Sequence, residues 1–543
     1  MSRVVYNPYL PSWEYVPDGE PHLFGGRVYV YGSHDVADGA SYCPGDYVCW
    51  SAPEDDLADW RYEGVIFRKT DDPSNVDGSA PLFAPDVAQG PDGRYYLYYA
   101  LASMLQGKPS HIGVAVCDEP AGRYRFLGNV ALPSGVELDS DASYGMVFDP
   151  ACYVEDGQAW VYWGFGMPVV NPRFGTAATE GSWVARLEPD MLTMAEEPRR
   201  LAPAKLQADG TGFEGHPFFE ASSFRCIRGR YYFVYSSLQG HELCWAWAES
   251  PVGPLTFGGV LHSNGDVGLP GVETEEQATY YLSNNHGSII ELGGQVYVFG
   301  HRHTHGHQNS RQGVAEPLRV RDDGFIEQAE MTSCGLNGGP LPALRETPAY
   351  CCCHLRSAEG ILHYSSHVTW NDAHPYVAQK ADAGAATSAY AYVYNLRDGA
   401  ELGYKYLGFC GSERCVELEV RGTLQGEVVL HLDAPNGPEL ARVPVSCDDT
   451  WAWVAAPLGR LVEAAQDGAA VPLADSVTGV RDEAAVSTAE GVRDEAAVPT
   501  AGSEEDARSE AVPSAGPVGG VHAVYLVPRG DGALDLRAFV FRA

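Results

Sequence analysis

A strand motif led by glycine recurs five times in the first three hundred residues, and no other feature limits the fold as tightly. GRVYVY (26–31), GRYYLY (93–98), GQAWVY (157–162), GRYYFVY (229–235) and GQVYVF (294–299) each set a turn glycine before a β-branched and aromatic run. The glycines are 67, 64, 72 and 65 residues apart. Each is preceded by another short strand-like stretch, so each unit holds a hairpin with the glycine at its turn. A period near 65 residues leaves room for roughly four strands, the size of a propeller blade. An ordinary sandwich spaces its strands by roughly 8–12 residues and has no longer period. The expected fold is therefore all-β, with a five-bladed β-propeller over residues 1–340.

Beyond residue 340 the strand-like runs continue without that period, at Tyr390–Tyr394, Val416–Val420, Glu427–Leu432 and Val521–Val527. Residues 345–543 read as a β-sandwich. It is interrupted at 463–518 by a low-complexity stretch in which GVRDEAAVSTAE (479–490) is nearly repeated as GVRDEAAVPTAG (491–502). That stretch is acidic and poor in aromatics, so it cannot bury enough surface to offset chain entropy and reads as a disordered insertion.

The formal charge of −36 repels phosphate backbones, which excludes nucleic acid as a partner. The opening MSRVVYNPYLPSWEYV lacks the apolar stretch of a secretion signal, and no segment is long and apolar enough to span a membrane. Thirteen scattered cysteines, three of them adjacent at Cys351–Cys353, suit a reducing compartment. The expectation is a soluble cytoplasmic protein with no membrane partner. Nothing in the sequence fixes its oligomeric state.

Counting back from each repeat glycine reaches an ionisable residue every time: Asp18, Asp86, Asp149, Glu220 and His286, seven to nine positions upstream. Taken singly, Asp18, Asp86 and Asp149 are ordinary turn aspartates beside proline or glycine. As a register-matched set they point to one shared well, where crowded carboxyls raise some pKa values and leave others ionised. Glu220, between Phe218-Phe219 and Ala221, sits in an apolar setting suited to a proton donor. Two carboxyls across a bound sugar are the equipment of glycoside hydrolysis. Among nearby aromatics, Trp13, Tyr15, Phe83, Trp163 and Phe165 are candidates for stacking on sugar faces, though aromatics at such places are more often core. The His301–His307 run, with a histidine at every second position, reads as a solvated loop in preference to a metal site. Arg311 is a candidate partner for an acid or a sugar hydroxyl.

NPYLPSWEYVPDGEPH (7–22), FAPDV (83–87), FDP (148–150), FFEASS (218–223) and NNHGS (284–288) together resemble glycoside hydrolase family 43. The resemblance implies a propeller enzyme that inverts the anomeric centre and acts mainly on arabinose- and xylose-containing glycans. It makes Asp18 the general base, Glu220 the general acid and Asp149 the group that tunes the acid. Asp86, Phe83, Trp163, Arg311 and His286 become substrate-pocket residues. His286 also resembles a histidine near a bound cation, often calcium and held through waters, while no cofactor is required for chemistry. Glu20 competes with Asp18 for the role of base. Residues 345–543, through YKYLGF (404–409), GEVVL (426–430) and DLRAFVF (535–541), are similar to carbohydrate-binding module family 6. The implied function is an exo-acting β-xylosidase or α-L-arabinofuranosidase on small oligosaccharides. The alternatives are a non-catalytic glycan-binding propeller and a phosphorylase or transglycosylase on similar sugars.

Overall fold

A computed structural model describes residues 3–102, 110–169, 180–238, 240, 242–361, 373–379, 391–459 and 518–543. The expected disordered insertion at 463–518 lies, but for its last residue, outside the described residues, as does Tyr390.

The five repeats become five antiparallel sheets, each a meander in chain order. The first four have four strands apiece, beginning at Glu20–Phe24, Leu82–Gln89, Ala151–Glu155 and Phe218–Ile227. The fifth has three among the described residues, Ser288–Leu292, Gln295–His303 and Arg311–Leu318. All five repeat glycines sit at the first hairpin turn with positive φ, from 75° at Gly229 to 86° at Gly294. Glycine is favoured there because a Cβ clashes with the neighbouring backbone in that conformation.

Alternation along the second and third strands of each sheet buries both of their faces. In the second strand of the first sheet, Tyr29 and Tyr31 pack with Leu82, Leu97 and Tyr99 of the second sheet, while Val28 and Val30 pack with Ile290 and Phe299 of the fifth. Similar clusters join the second sheet to the third through Tyr98 and Trp163, the third to the fourth through Tyr162 and Phe233, and the fourth to the fifth through Trp245 and Val298. Each sheet thus covers the next, and the fifth covers the first.

The remaining strands form two six-stranded sheets, one containing Glu401–Cys410 and Gly519–Asp531, the other Cys415–Gly422 and Leu534–Arg542. Their aromatic faces meet, with ring centroids 4.7 Å apart for Tyr404 and Phe539 and 5.0 Å for Phe409 and Phe541. Polar contacts tie these sheets to the first five. Lys405 Nζ donates to Asp266 at 2.8 Å and to Glu330 at 2.9 Å, and buried Arg302 donates to the carbonyls of Tyr350 and Cys352.

Candidate functional site

Strained backbone recurs at the entrances to the first strands. Asp18, Ala84, Asp149 and Ala221 have φ of 57°, 27°, 46° and 67°, each at or next to the start of its sheet. Such conformations cost about 1–3 kcal/mol each and cluster where function demands a fixed side-chain direction. The ladder shifts register between Phe83 and Asp86 and between Phe218 and Ser223, irregularities of the kind that re-aim side chains.

The pairing sorts the axial candidates into two layers. Glu20, Asp86, Ala151, Ser223 and Ser288 each pair with the residue five beyond their repeat glycine. Phe83 and Glu220 pair seven beyond it, opposite Ala100 and Ser236, and Asp18, Asp149 and His286 stand two positions ahead of Glu20, Ala151 and Ser288. The outer layer is therefore Asp18, Phe83, Asp149, Glu220 and His286. Asp86 belongs to the inner layer with Glu20, because the second hairpin has a longer turn, from Gln89 to Tyr95. Counting back to the glycine misses that difference.

Within the outer layer the carboxyls are held in opposite ways. Asp18 accepts a 3.0 Å bond from Arg311 Nη1, and its carboxylate lies 3.2 Å from His301 Nδ1. Burial works to raise its pKa, but the charge of Arg311 leads the groups that outweigh it and hold the carboxyl far below the usual range. Half-buried Glu220 accepts no hydrogen bond from the described residues. Burial first, then the charges of Asp149 and Asp18, push it well above the usual range despite His286 and Arg311. Asp149 accepts a 3.0 Å bond from the Ala221 N–H, which fixes the backbone beside Glu220, and its Oδ2 lies 3.4 Å from His286 Nδ1. Burial raises Asp149 while His286 pulls it down. Burial favours a neutral His286, and the surrounding carboxylates overcome it and keep the ring protonated. One carboxyl held ionised near one held protonated is the arrangement acid and base catalysis requires.

The sequence profile of glycosyl hydrolases family 43 matches residues 25–326. A xylosidase/arabinosidase of Thermoclostridium stercorarium is 45% identical over 452 residues, covering 83% of this chain and 92% of that protein. A xylosidase/arabinosidase of Bacteroides ovatus is 31% identical over 318 residues, 54% of this chain and 87% of the other. Among solved structures, a family 43 β-xylosidase/α-arabinofuranosidase from a compost microbial metagenome, in complex with xylotriose and calcium-free, aligns at 25% identity over 59% of this chain and 96% of that one, with a TM-score of 0.46. The chain belongs to glycosyl hydrolase family 43. It is a glycosidase.

Several further residues of this family 43 chain lie elsewhere than expected. Trp163 is fully buried in the core between the second and third sheets, its Nε1 donating to the Tyr144 carbonyl, so it cannot stack on a sugar. The aromatic wall beside the acids is built instead from Phe83, Phe148, Phe165 and Phe219, with successive centroids 5.4, 5.7 and 5.0 Å apart. Phe83 and Phe219 are its half-buried members. Trp13 is half exposed against Trp50, and Tyr15 is buried, donating to Gln379. Asp86 is inaccessible, occupied by His22 at 2.6 Å, Arg225 at 3.4 Å and the Val87 and Cys152 N–H groups. Its burial closes it to a sugar in the pocket. Glu20, the rival for Asp18, lies in the same inner layer and pairs with Arg225.

The histidine-rich run is not a solvated loop. His301 and His303 lie on a buried strand, and His305 is buried as well. His301 accepts the Asp18 N–H at 3.2 Å through the same Nδ1 that faces its carboxylate, and its Nε2 meets the Asn284 carbonyl at 2.9 Å. A residue with no motif signal, Asp35, aligns Arg311 by accepting from its Nε, its Nη2 and its backbone N–H at 2.8–3.1 Å. Its only trace in the sequence is a lone aspartate in an irregular stretch, so folding alone reveals it.

The cation expected near His286 finds a poor seat. Both ring nitrogens face carboxylates, Asp149 at 3.4 Å and Glu20 Oε1 at 3.8 Å. Glu20, His22 and Asp86 hold potential ligand atoms within 4.8 Å of one another, but Arg225 Nη2 lies among them, bonded to Glu20 Oε2 and 3.0 Å from His22 Nε2. These residues do not fit a resident divalent ion.

Proposed function

We propose that this family 43 glycosidase is an exo-acting, inverting enzyme that releases xylose or arabinose from small oligosaccharides. Its first five sheets are read as a five-bladed β-propeller and the two C-terminal sheets as a β-sandwich. In this reading Glu220 protonates the glycosidic oxygen as the bond to the anomeric carbon breaks. Asp18, ionised beside Arg311, takes a proton from the water that attacks the opposite face. Asp149 keeps Glu220 protonated through its charge and orients it through Ala221. Inversion needs the two carboxyls roughly 6.5–9.5 Å apart to admit that water. Phe83 and Phe219 offer the sugar an apolar face, while His286 and Arg311 supply positive charge around the acids.

The observation that carries this reading is the opposite electrostatic setting of Asp18 and Glu220 within one cluster. The names of the relatives, xylosidase and arabinosidase, support the sugar class. The test is hydrolysis of aryl xylosides and aryl arabinofuranosides, with NMR detection of the anomer formed first. The inverted anomer is expected, with turnover reduced at least about a hundredfold in folded Asp18→Ala and Glu220→Ala. The Glu220→Ala loss should shrink on substrates whose phenol leaves without protonation. A retained anomer, or release that depends on phosphate, would replace this mechanism with transglycosylation or phosphorolysis.

A further inference from the structure

Beneath the outer acids, the inner layer holds charge that the outer chemistry does not use. Glu20 and Asp86 bring two fully buried carboxylates from different sheets into contact range of one nitrogen, with the His22 ring beside them. Two buried like charges need a positive partner, and an oxygen-ligated ion is one way to supply it.

The partner present is Arg225, from the fourth sheet. Its Nη2 bonds Glu20 Oε2, approaches His22 Nε2 at 3.0 Å and lies 3.4 Å from Asp86 Oδ1. Nη1 donates to the Phe224 carbonyl at 2.8 Å, which fixes the plane of the guanidinium. The neighbouring groups reinforce this arrangement. His22 is bonded to Asp86 at 2.6 Å, and Ser223 Oγ donates to Glu20 Oε2 at 3.0 Å while meeting Ser288 Oγ at 2.7 Å. Of the carboxylate oxygens in this layer, Glu20 Oε1 accepts no hydrogen bond from the described residues, and it faces His286 Nε2.

A calcium ion takes six to eight oxygens at about 2.3–2.6 Å. Here two carboxylates and one imidazole are on offer, and their convergence point is held by a guanidinium nitrogen. An ion could enter only by displacing Nη2, or by sitting beside a full positive charge in a buried site.

We propose that the cation of this inner layer is built into the chain: the Arg225 guanidinium takes the place of a divalent ion bridging Glu20, His22 and Asp86, and the protein folds and stays folded without one. Calcium becomes unnecessary, and the layer beneath the outer acids acquires a counter-charge that a chelator cannot remove. This inference does not rest on the proposed sugar specificity or on inversion.

The test uses the full chain. Metal analysis of protein purified without chelator is expected to find far less than one calcium per chain. The melting temperature is expected to be the same in EDTA, in buffer and in added calcium chloride. Arg225→Ala uncovers Glu20, His22 and Asp86, so its melting temperature should fall and then rise on adding calcium or manganese. Arg225→Lys, which keeps the charge, should remain insensitive to both. The proposal is overturned if the unaltered chain retains stoichiometric calcium, if EDTA lowers its melting temperature, or if Arg225→Ala is as stable as the parent and indifferent to cations. Should Arg225→Ala fail to fold, the metal content and chelator response of the unaltered chain still decide the matter. All of these readouts are independent of activity.

Discussion

At the residue scale, the proposed mechanism depends on separating two similar groups. The carboxyl near Arg311 is held below the usual carboxylate range, and the one among apolar side chains and like charges is held above it. Burial does most to raise Glu220, and Asp149 adds to it, since its negative charge raises Glu220 further while its oxygen fixes Ala221. Asp149→Asn keeps the hydrogen-bond acceptor and removes the charge. Glu220 should then titrate at lower pH, so the alkaline limb of the kcat/KM profile should move down, each unit costing about tenfold in activity above the limb. An unmoved limb in the variant would separate Asp149 from the acid. Asp35 acts one step further away, through Arg311, and its effect should appear in kcat before KM.

At the scale of elements, glycines mark two different constraints. Gly157 turns the third hairpin at φ 76°, and a Cβ added there would meet nothing within 4 Å, so its only demand is conformational. Gly287 has ordinary φ, but a Cβ there would lie 1.8 Å from the Phe299 carbonyl oxygen, and Gly287 itself bridges to Gly19, each just ahead of its sheet's first strand. Gly157→Ala should therefore cost about 1–2 kcal/mol, the left-handed penalty of a non-glycine residue. Gly287→Ala should cost more, because backbone must move where the fifth sheet meets the first. Urea denaturation of both variants checks the order, and equal losses would contradict it.

At the scale of the molecule, the polar contacts between the C-terminal sheets and the rest of the chain lead us to propose that these sheets brace it. Lys405 is buried between Asp266 and Glu330, and Arg302 uses carbonyls from the 350–352 turn. Lys405→Met leaves Asp266 buried with its counter-charge gone, a loss of about 3–5 kcal/mol for a broken buried pair. The expected result is a lower melting temperature with kcat per folded molecule unchanged. A chain ending at residue 340 should aggregate for the same reason. If that truncated chain were stable and lost only affinity for polymer, the C-terminal sheets would be a binding module and not a brace.

How much of this was legible beforehand depends on the range of the forces involved. Turn glycines, alternating aromatics and the 65-residue period are local, since backbone sterics and side-chain alternation act over a few residues. They carried the five hairpins, and they aligned Asp18, Asp149, Glu220 and His286 in one register. The longer second turn defeated counting, which is why Asp86 belongs a layer below Phe83. Strand alternation could not say which neighbouring sheet would bury Trp163. His301 and Asp35 reach Asp18 and Arg311 across some 280 residues, a pairing no local pattern encodes. By itself, the order of residues determined the repeat, the strands and the kinds of ionisable group available. Only tertiary packing decided which of those groups share a layer, because partners and dielectric surroundings exist only once distant strands are brought together.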